Sequence, residues 1–213
     1  MIEKTLNSLQ EFFDTVDALK HGAYRGERKA SWVLRPKLGR TTRKSSMSAD
    51  FPVTDFRSMA TVYVGETLSD WQWMCLAQHH GVPTRLLDWS RSFPIAAYFA
   101  VQNSDYDGDS AIFALSTSFL IETGDFQPRD EKGLVILPKH SNPRLAAQHG
   151  CFTYHDDPWT PFDSDKLTKY TIPSALRGNI RDFIAKFGIE HSRVFPDLDG
   201  IAEQVNRTYD AAT

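Results

Sequence analysis

The residues best suited to chemistry in this 213-residue chain crowd into one stretch, Gln78-His79-His80-Gly81-Val82-Pro83-Thr84-Arg85-Leu86-Leu87-Asp88-Trp89-Ser90. Two imidazoles, a guanidinium, a carboxylate, an indole and a hydroxyl follow one another through what reads as a helix, a turn and a strand. Gly81 permits a left-handed cap, and Pro83 fixes the backbone as it leaves the turn. Charged groups beside apolar strand residues need partners. Two readings therefore compete: Arg85 and Asp88 pair internally to hold the turn, or both face a site.

Other constellations are weaker. A metal centre would have to draw on His79, His80, His155 and Asp156, but adjacent side chains diverge on a helix or strand. No His-x-x-x-His or Cys-x-x-Cys spacing supports one, so no metal is expected. A Ser/His/Asp hydrolase could use Ser90 and Asp88, yet Ser90 lies between Trp89 and Arg91 without the Gly-x-Ser-x-Gly elbow. A phosphate-cradling Gly-x-x-x-x-Gly-Lys-Ser/Thr loop is absent. The basic residues Arg25, Arg28, Lys29, Arg35, Lys37, Arg40, Arg43 and Lys44 could meet phosphates; from Lys37 to Lys44 a solvated loop is the simpler reading. Arg25 differs. It sits beside Gly26 in what reads as a central strand, where a guanidinium requires a fixed anionic partner or a site to point into.

The elements that must position these groups follow from periodicity. Leu6, Leu9, Phe12, Phe13, Val16 and Leu19 form the stripe of an amphipathic helix that Gly22 stops. Ala23 to Gly26 reads as a strand, Ser31 to Arg35 as an extended stretch closed by Pro36, and Arg35 to Lys44 as a loop. Helices are expected at Asp55 to Val64, at Ser69 to His80 with Ser69 as N-cap, and at an apolar run opened by Pro94. Strands are expected at Thr84 to Trp89, Ala111 to Leu115, Leu134 to Leu137, Cys151 to His155 and Leu167 to Ile172. A short helix falls at Asn142 to Ala147, and further helices at Ser174 to Phe187 and Leu198 to Val205. The uneven interleaving excludes the βαβ rhythm of a doubly wound sheet and indicates an α+β fold.

Composition sets the outer bounds. The chain has 24 basic and 27 acidic residues, a net charge of −3, so no overall field draws it to nucleic acid or anionic lipid. With 41% hydrophobic and 12% aromatic residues it can bury a sizeable core. No apolar run has membrane-spanning length, the first residues lack signal-peptide character, and two unpaired-looking cysteines suit a reducing compartment. A cytoplasmic, single-domain protein is expected: an N-terminal helix over 1–21, a mixed core over 22–172 and C-terminal helices over 173–213.

Tyr24-Arg25-Gly26, Trp32-Val33-Leu34-Arg35-Pro36, the stretch Gln78 to Trp89 and Ala96-Ala97-Tyr98-Phe99-Ala100 together resemble the FRG domain family, as do Asn142 to Thr153 and Phe195 to Ala202. A second resemblance is to arginine-type ADP-ribosyltransferases. Arg25-Gly26 is similar to the Arg-Gly strand that opens their core. Trp89-Ser90-Arg91-Ser92 before Ala96 to Ala100 is similar to their Ser-Thr-Ser strand and following helix. Gln148 stands where their glutamate falls. This resemblance implies a split or curved, mainly antiparallel sheet flanked by helices, and a reaction on NAD as substrate, transferring ADP-ribose to a macromolecule or cleaving NAD. By family analogy such an activity belongs to conflict between bacteria and phage. It implies that Arg25 anchors the pyrophosphate, Ser90 orients the ribose and Gln148 contacts ribose hydroxyls. Gly26, His80, Arg85, Asp88, Trp89 and Tyr98 would shape the cofactor site. With glutamate absent, either Asp88, Glu131 or Asp156 supplies the carboxylate that stabilises an oxocarbenium-like ribose, or the domain is slow, or it binds without catalysing. The alternatives are a non-catalytic nucleotide- or protein-binding module, and an enzyme directed at nucleic acid with the basic loop as its docking element.

Overall fold

The computed structural model of the chain describes residues 1–19, 22–42, 48–65, 67–121, 135–138 and 142–210. Arg43, Lys44, Glu131 and Leu134, all named above, lie outside the described residues. Among the described residues eight strands form one sheet in the order β1-β8-β4-β2-β3-β7-β6-β5, mostly antiparallel and flanked by helices. No described helix is long and apolar enough to cross a membrane.

The chain enters through β1 (Ile2–Thr5), which pairs parallel with the last strand, β8 (Leu167–Ile172). Helix α1 (Leu9–Ala18) starts where the Ser8 hydroxyl accepts the Glu11 N–H, satisfying one of the donors orphaned in a first turn. Strand β2 (Ala23–Glu27) follows, then Leu38–Arg40 as a 3₁₀ turn, then α2 (Phe51–Ala60). The basic loop is thus anchored: Leu38 and Gly39 are buried, and Lys37 donates to the Gly81 carbonyl.

Helix α3 (Asp70–His79) carries a complete capping box, with Ser69 and Gln72 exchanging side-chain and backbone bonds. Gly81 ends it at φ 76°, the left-handed conformation that glycine adopts most freely. Strand β3 (Leu86–Ser90) leads into α4 (Phe93–Val101), opened by Pro94 and buried almost all round. The remainder is β4 (Ser110–Leu115), β5 (Phe119–Ile121), β6 (Val135–Leu137), α5 (Pro143–Ala147), β7 (Gly150–Tyr154), β8, α6 (Ser174–Ala185), α7 (His191–Val194) and α8 (Leu198–Asp210).

One face of the sheet packs Tyr24, Ile112 and Tyr170 against Phe12, Phe93 and Ile180 from the helices. The opposite face buries Leu87, Trp89, Phe113 and Cys151 beneath loop residues Leu34 and Phe162. A third cluster seats Trp71, Trp73 and Met74 of α3 against Leu86, Ile136 and Phe152.

The middle of the sheet positions the site. β2 runs beside β4 for five residue pairs, and β3 beside β7 for five, but β2 and β3 meet only at Tyr24↔Ser90. Beyond that pair the strands part. Helix α4 lies against β2 so closely that a Cβ on Gly26 would fall 1.9 Å from the Ala96 carbonyl oxygen. Gly26 is therefore a requirement of helix-on-strand contact, and buried Ala96, Ala97 and Ala100 supply the matching low profile.

Candidate active-site cleft

A cavity of about 340 Å³ opens where the two central strands separate. Tyr24, Arg25 and Gly26 form one side of its floor; Asp88, Trp89 and Ser90 form the other. α3 contributes Cys75, Leu76, Gln78 and His79, α4 contributes Ala96 and Phe99, and the segment around α5 contributes Asn142, Arg144, Leu145 and Gln148. Phe195, between α7 and α8, closes the wall.

Arg25 spans the parted strands. Its Nη1 donates to the Asp88 carbonyl at 2.8 Å, and its Nε donates to Glu27 Oε1 at 2.7 Å. Where the backbone ladder fails, a side chain thus takes the carbonyl. These bonds use two of the five N–H donors of a guanidinium, and the Asp88 carboxylate lies 3.8 Å from Nη1. Glu27 is only 4% exposed and also faces Arg40 at 3.7 Å. Burial, followed by the repulsion of Arg25, lowers the pKa of Arg40, with Glu27 and Asp88 opposing.

Asp88 is the carboxylate of the cleft. Its side chain is 57% exposed, and its Oδ2 accepts from Gln78 Nε2 at 2.8 Å, while Gln78 Oε1 accepts from Thr84 at 2.6 Å. That chain fixes the amide and leaves Asp88 both oriented and open to solvent.

Ser90 and Gln148 converge, though with the hydroxyl occupied. Ser90 Oγ donates to the Gln148 carbonyl at 2.7 Å and accepts the Ser92 N–H at 3.0 Å. The Gln148 amide donates to the Val194 carbonyl at 3.2 Å. Gln148 ends α5, and His149, at φ 49°, turns the chain into β7. Ser90 therefore ties the end of β3 to this turn.

Three of the expected site residues lie outside the cleft lining. Arg85 pairs with Asp50 rather than Asp88: its Nε and Nη2 reach the two Asp50 oxygens at 2.7 and 3.1 Å, and its Nη1 donates to the Asp156 carbonyl. His80 packs near the Phe56 ring, and Tyr98 is buried with its hydroxyl 2.7 Å from His191 Nδ1. Trp89 belongs to the lining, but its ring packs against Phe162 and its indole donates to Thr153 Oγ1 at 2.9 Å. Among the described residues no group of three His, Cys, Asp or Glu could hold a metal ion, and both cysteines are free thiols.

The sequence reading missed His79, Gln78, Arg144, Phe99 and Phe195 as lining residues. Helical spacing carried the signal for two of them. Arg144 stands four residues before Gln148 on one helix face, and His79 stands four after Cys75. Arg144 is held by Asp197 at 2.7 Å, with its guanidinium 5.1 Å from the Phe195 ring centre. Burial, then His80 and Arg144, lower the His79 pKa from its ordinary 6.5, with Asp197 opposing.

Fold and cleft together define an α+β domain with a largely apolar cleft where two strands of its sheet part, furnished among the described residues with two guanidinium groups, a carboxylate and an imidazole. Residues 20–108 match the family model described as the FRG domain, which supports that family for this chain. The match takes in β2, α3, β3 and α4, the elements that build most of the cleft. No curated protein and no solved structure matches the chain.

Proposed function

We propose that the cleft binds NAD and cleaves its nicotinamide–ribose bond, transferring ADP-ribose to a macromolecule or to water. The observation that carries this reading is the parting of β2 and β3, which places Arg25 and Asp88 on facing sides of one cavity with Gln148 and Arg144 on the adjoining wall. This arrangement is also why we read the fold as similar to that of ADP-ribosyltransferases.

Guanidinium groups suit the pyrophosphate because their planar forks bond two oxygens at once. Phe99 and Phe195 offer rings to heterocycles. About 340 Å³ is near the small end of ligand cavities, so one nucleotide half is enclosed and the other lies along the rim. Gln148 Oε1 remains an acceptor for a ribose hydroxyl. Asp88 takes the role that Gln148 cannot, placing negative charge beside the oxocarbenium-like ribose. At about 4 Å and an effective dielectric near 20, that contact supplies roughly 4 kcal/mol, about a thousandfold in rate.

The test is calorimetric titration with NAD and ADP-ribose, together with an assay of nicotinamide release. The expected result is binding, turnover by the native chain, and a loss of about a thousandfold in turnover for Asp88→Asn with binding retained. Binding without turnover would reduce the domain to a nucleotide-binding module; no binding of either ligand would overturn the reading.

A further inference from the structure

We infer that His79 is a catalytic residue of this cleft, the general base that accepts the proton of the attacking nucleophile. The inference rests on the NAD-cleaving reading above and assigns it a group that neither the family match nor the resemblance supplies.

His79 occupies the last turn of α3 and lines the cavity with Asp88 and Arg25. Of the adjacent imidazoles it is the one turned inward, because neighbouring helical positions point about 100° apart; His80 packs near Phe56 instead. The rings meet edge to face at 5.0 Å. Among the described residues no hydrogen bond is made to either ring nitrogen of His79, whereas His155 and His191 are engaged by Thr153 and Tyr98. An imidazole in a reactive cleft with unengaged nitrogens can take a proton directly.

The charged and titratable groups around it favour the neutral, basic form. His80 and Arg144 oppose a positive charge on the ring, as does burial; Asp197 favours one. Asp88, Arg25 and Cys75 share the cavity. The net lowering leaves His79 unprotonated at pH 7, the form a base requires.

In the proposed step the C1′–N bond breaks and its electron pair leaves with nicotinamide, which departs neutral. The oxygen of water or of an acceptor hydroxyl forms the new C1′–O bond. Its proton passes to a ring nitrogen of His79 and from there to solvent.

The experiment compares the native chain with His79→Gln for NAD affinity, kcat and the pH profile of nicotinamide release. The native profile should show an acid limb with its midpoint below 6.5, on the side to which burial moves His79. His79→Gln should bind NAD with unchanged affinity, lose about a hundredfold or more in kcat, and lack that limb. Unimpaired kcat in the variant, or a native profile flat through this range, overturns the role of His79 while leaving NAD cleavage standing. No release by the native chain overturns both.

Discussion

At the residue scale Arg25 has a structural duty that can be separated from the binding role proposed for it. Its side chain is 16% exposed and pairs with a nearly buried Glu27, so deleting it leaves a carboxylate without its closest cation. Losing one member of such a pair costs about 3–5 kcal/mol, whereas replacing both can come close to neutral. Arg25→Met should therefore lower the urea-unfolding free energy by about 3 kcal/mol, and adding Glu27→Gln should restore most of it. Equal instability in the double variant would mean that Arg25 stabilises chiefly through the Asp88 carbonyl. The double variant then reports on ligand binding free of the folding defect. The sequence indicated that Arg25 needed either an anion or a site; its anion is Glu27, and it also lines the cavity. Alternation along β3 explains the rest of what was legible: Asp88 and Ser90 share a face while Leu87 and Trp89 turn to the core. Arg85 could not be placed in advance because its partner, Asp50, lies 35 residues away, with α2 and α3 between them.

At the element scale the contact between α4 and β2 dominates. Gly26→Ala would put a methyl group 1.9 Å from the Ala96 carbonyl and 2.6 Å from the Ala100 nitrogen, both backbone atoms that cannot swing aside. The variant should lose about 3 kcal/mol or more, or fail to fold. Gly178 offers the contrast. It lies within α6 with nothing within 4 Å of its missing Cβ. Gly178→Ala should gain about 0.5–1 kcal/mol from helix propensity. Thermal unfolding of the two variants side by side checks the argument; a tolerated alanine at 26 would refute the close approach. The long periodic helices and the apolar strands were readable because each buries a stripe or a face. Three elements were not: β1, β5 and α7. The four residues of β1 are all exposed, so it has no apolar side to betray it and is held by backbone pairing to β8. β5 has three residues and α7 four, too short for a period to show.

For the whole molecule, the buried and half-buried ionisable groups define a pH window. His79 and His191 are both lowered from 6.5, chiefly by burial. The unfolded chain thus takes up protons first, and the stability these groups hold above pH 6.5 is lost as pH falls through their folded values. Cys151 and Tyr98 are pushed up by burial to about 12, from ordinary values of 9.0 and 10.0. Their contribution is complete below pH 9 and disappears as pH rises toward 12. Melting temperature should therefore be highest between about pH 7 and 9 and decline on both sides. A midpoint that stays constant from pH 7 to 5 would mean that these histidines are equally protonatable in the unfolded chain. The α+β class was legible from the order of elements, whereas the cavity was not. It depends on two strands that are neighbours for a single residue pair, and local patterning carries no trace of where a ladder stops.

The alanine-and-glycine seam has a consequence for redesign. Where a helix backbone rests directly on a strand, there is no slack to enlarge or reshape, so that side of the recess is rigid by construction. Reshaping the cavity must therefore work through the other lining residues, such as Leu76, Asn142 and Leu145, which come from α3 and the segment around α5.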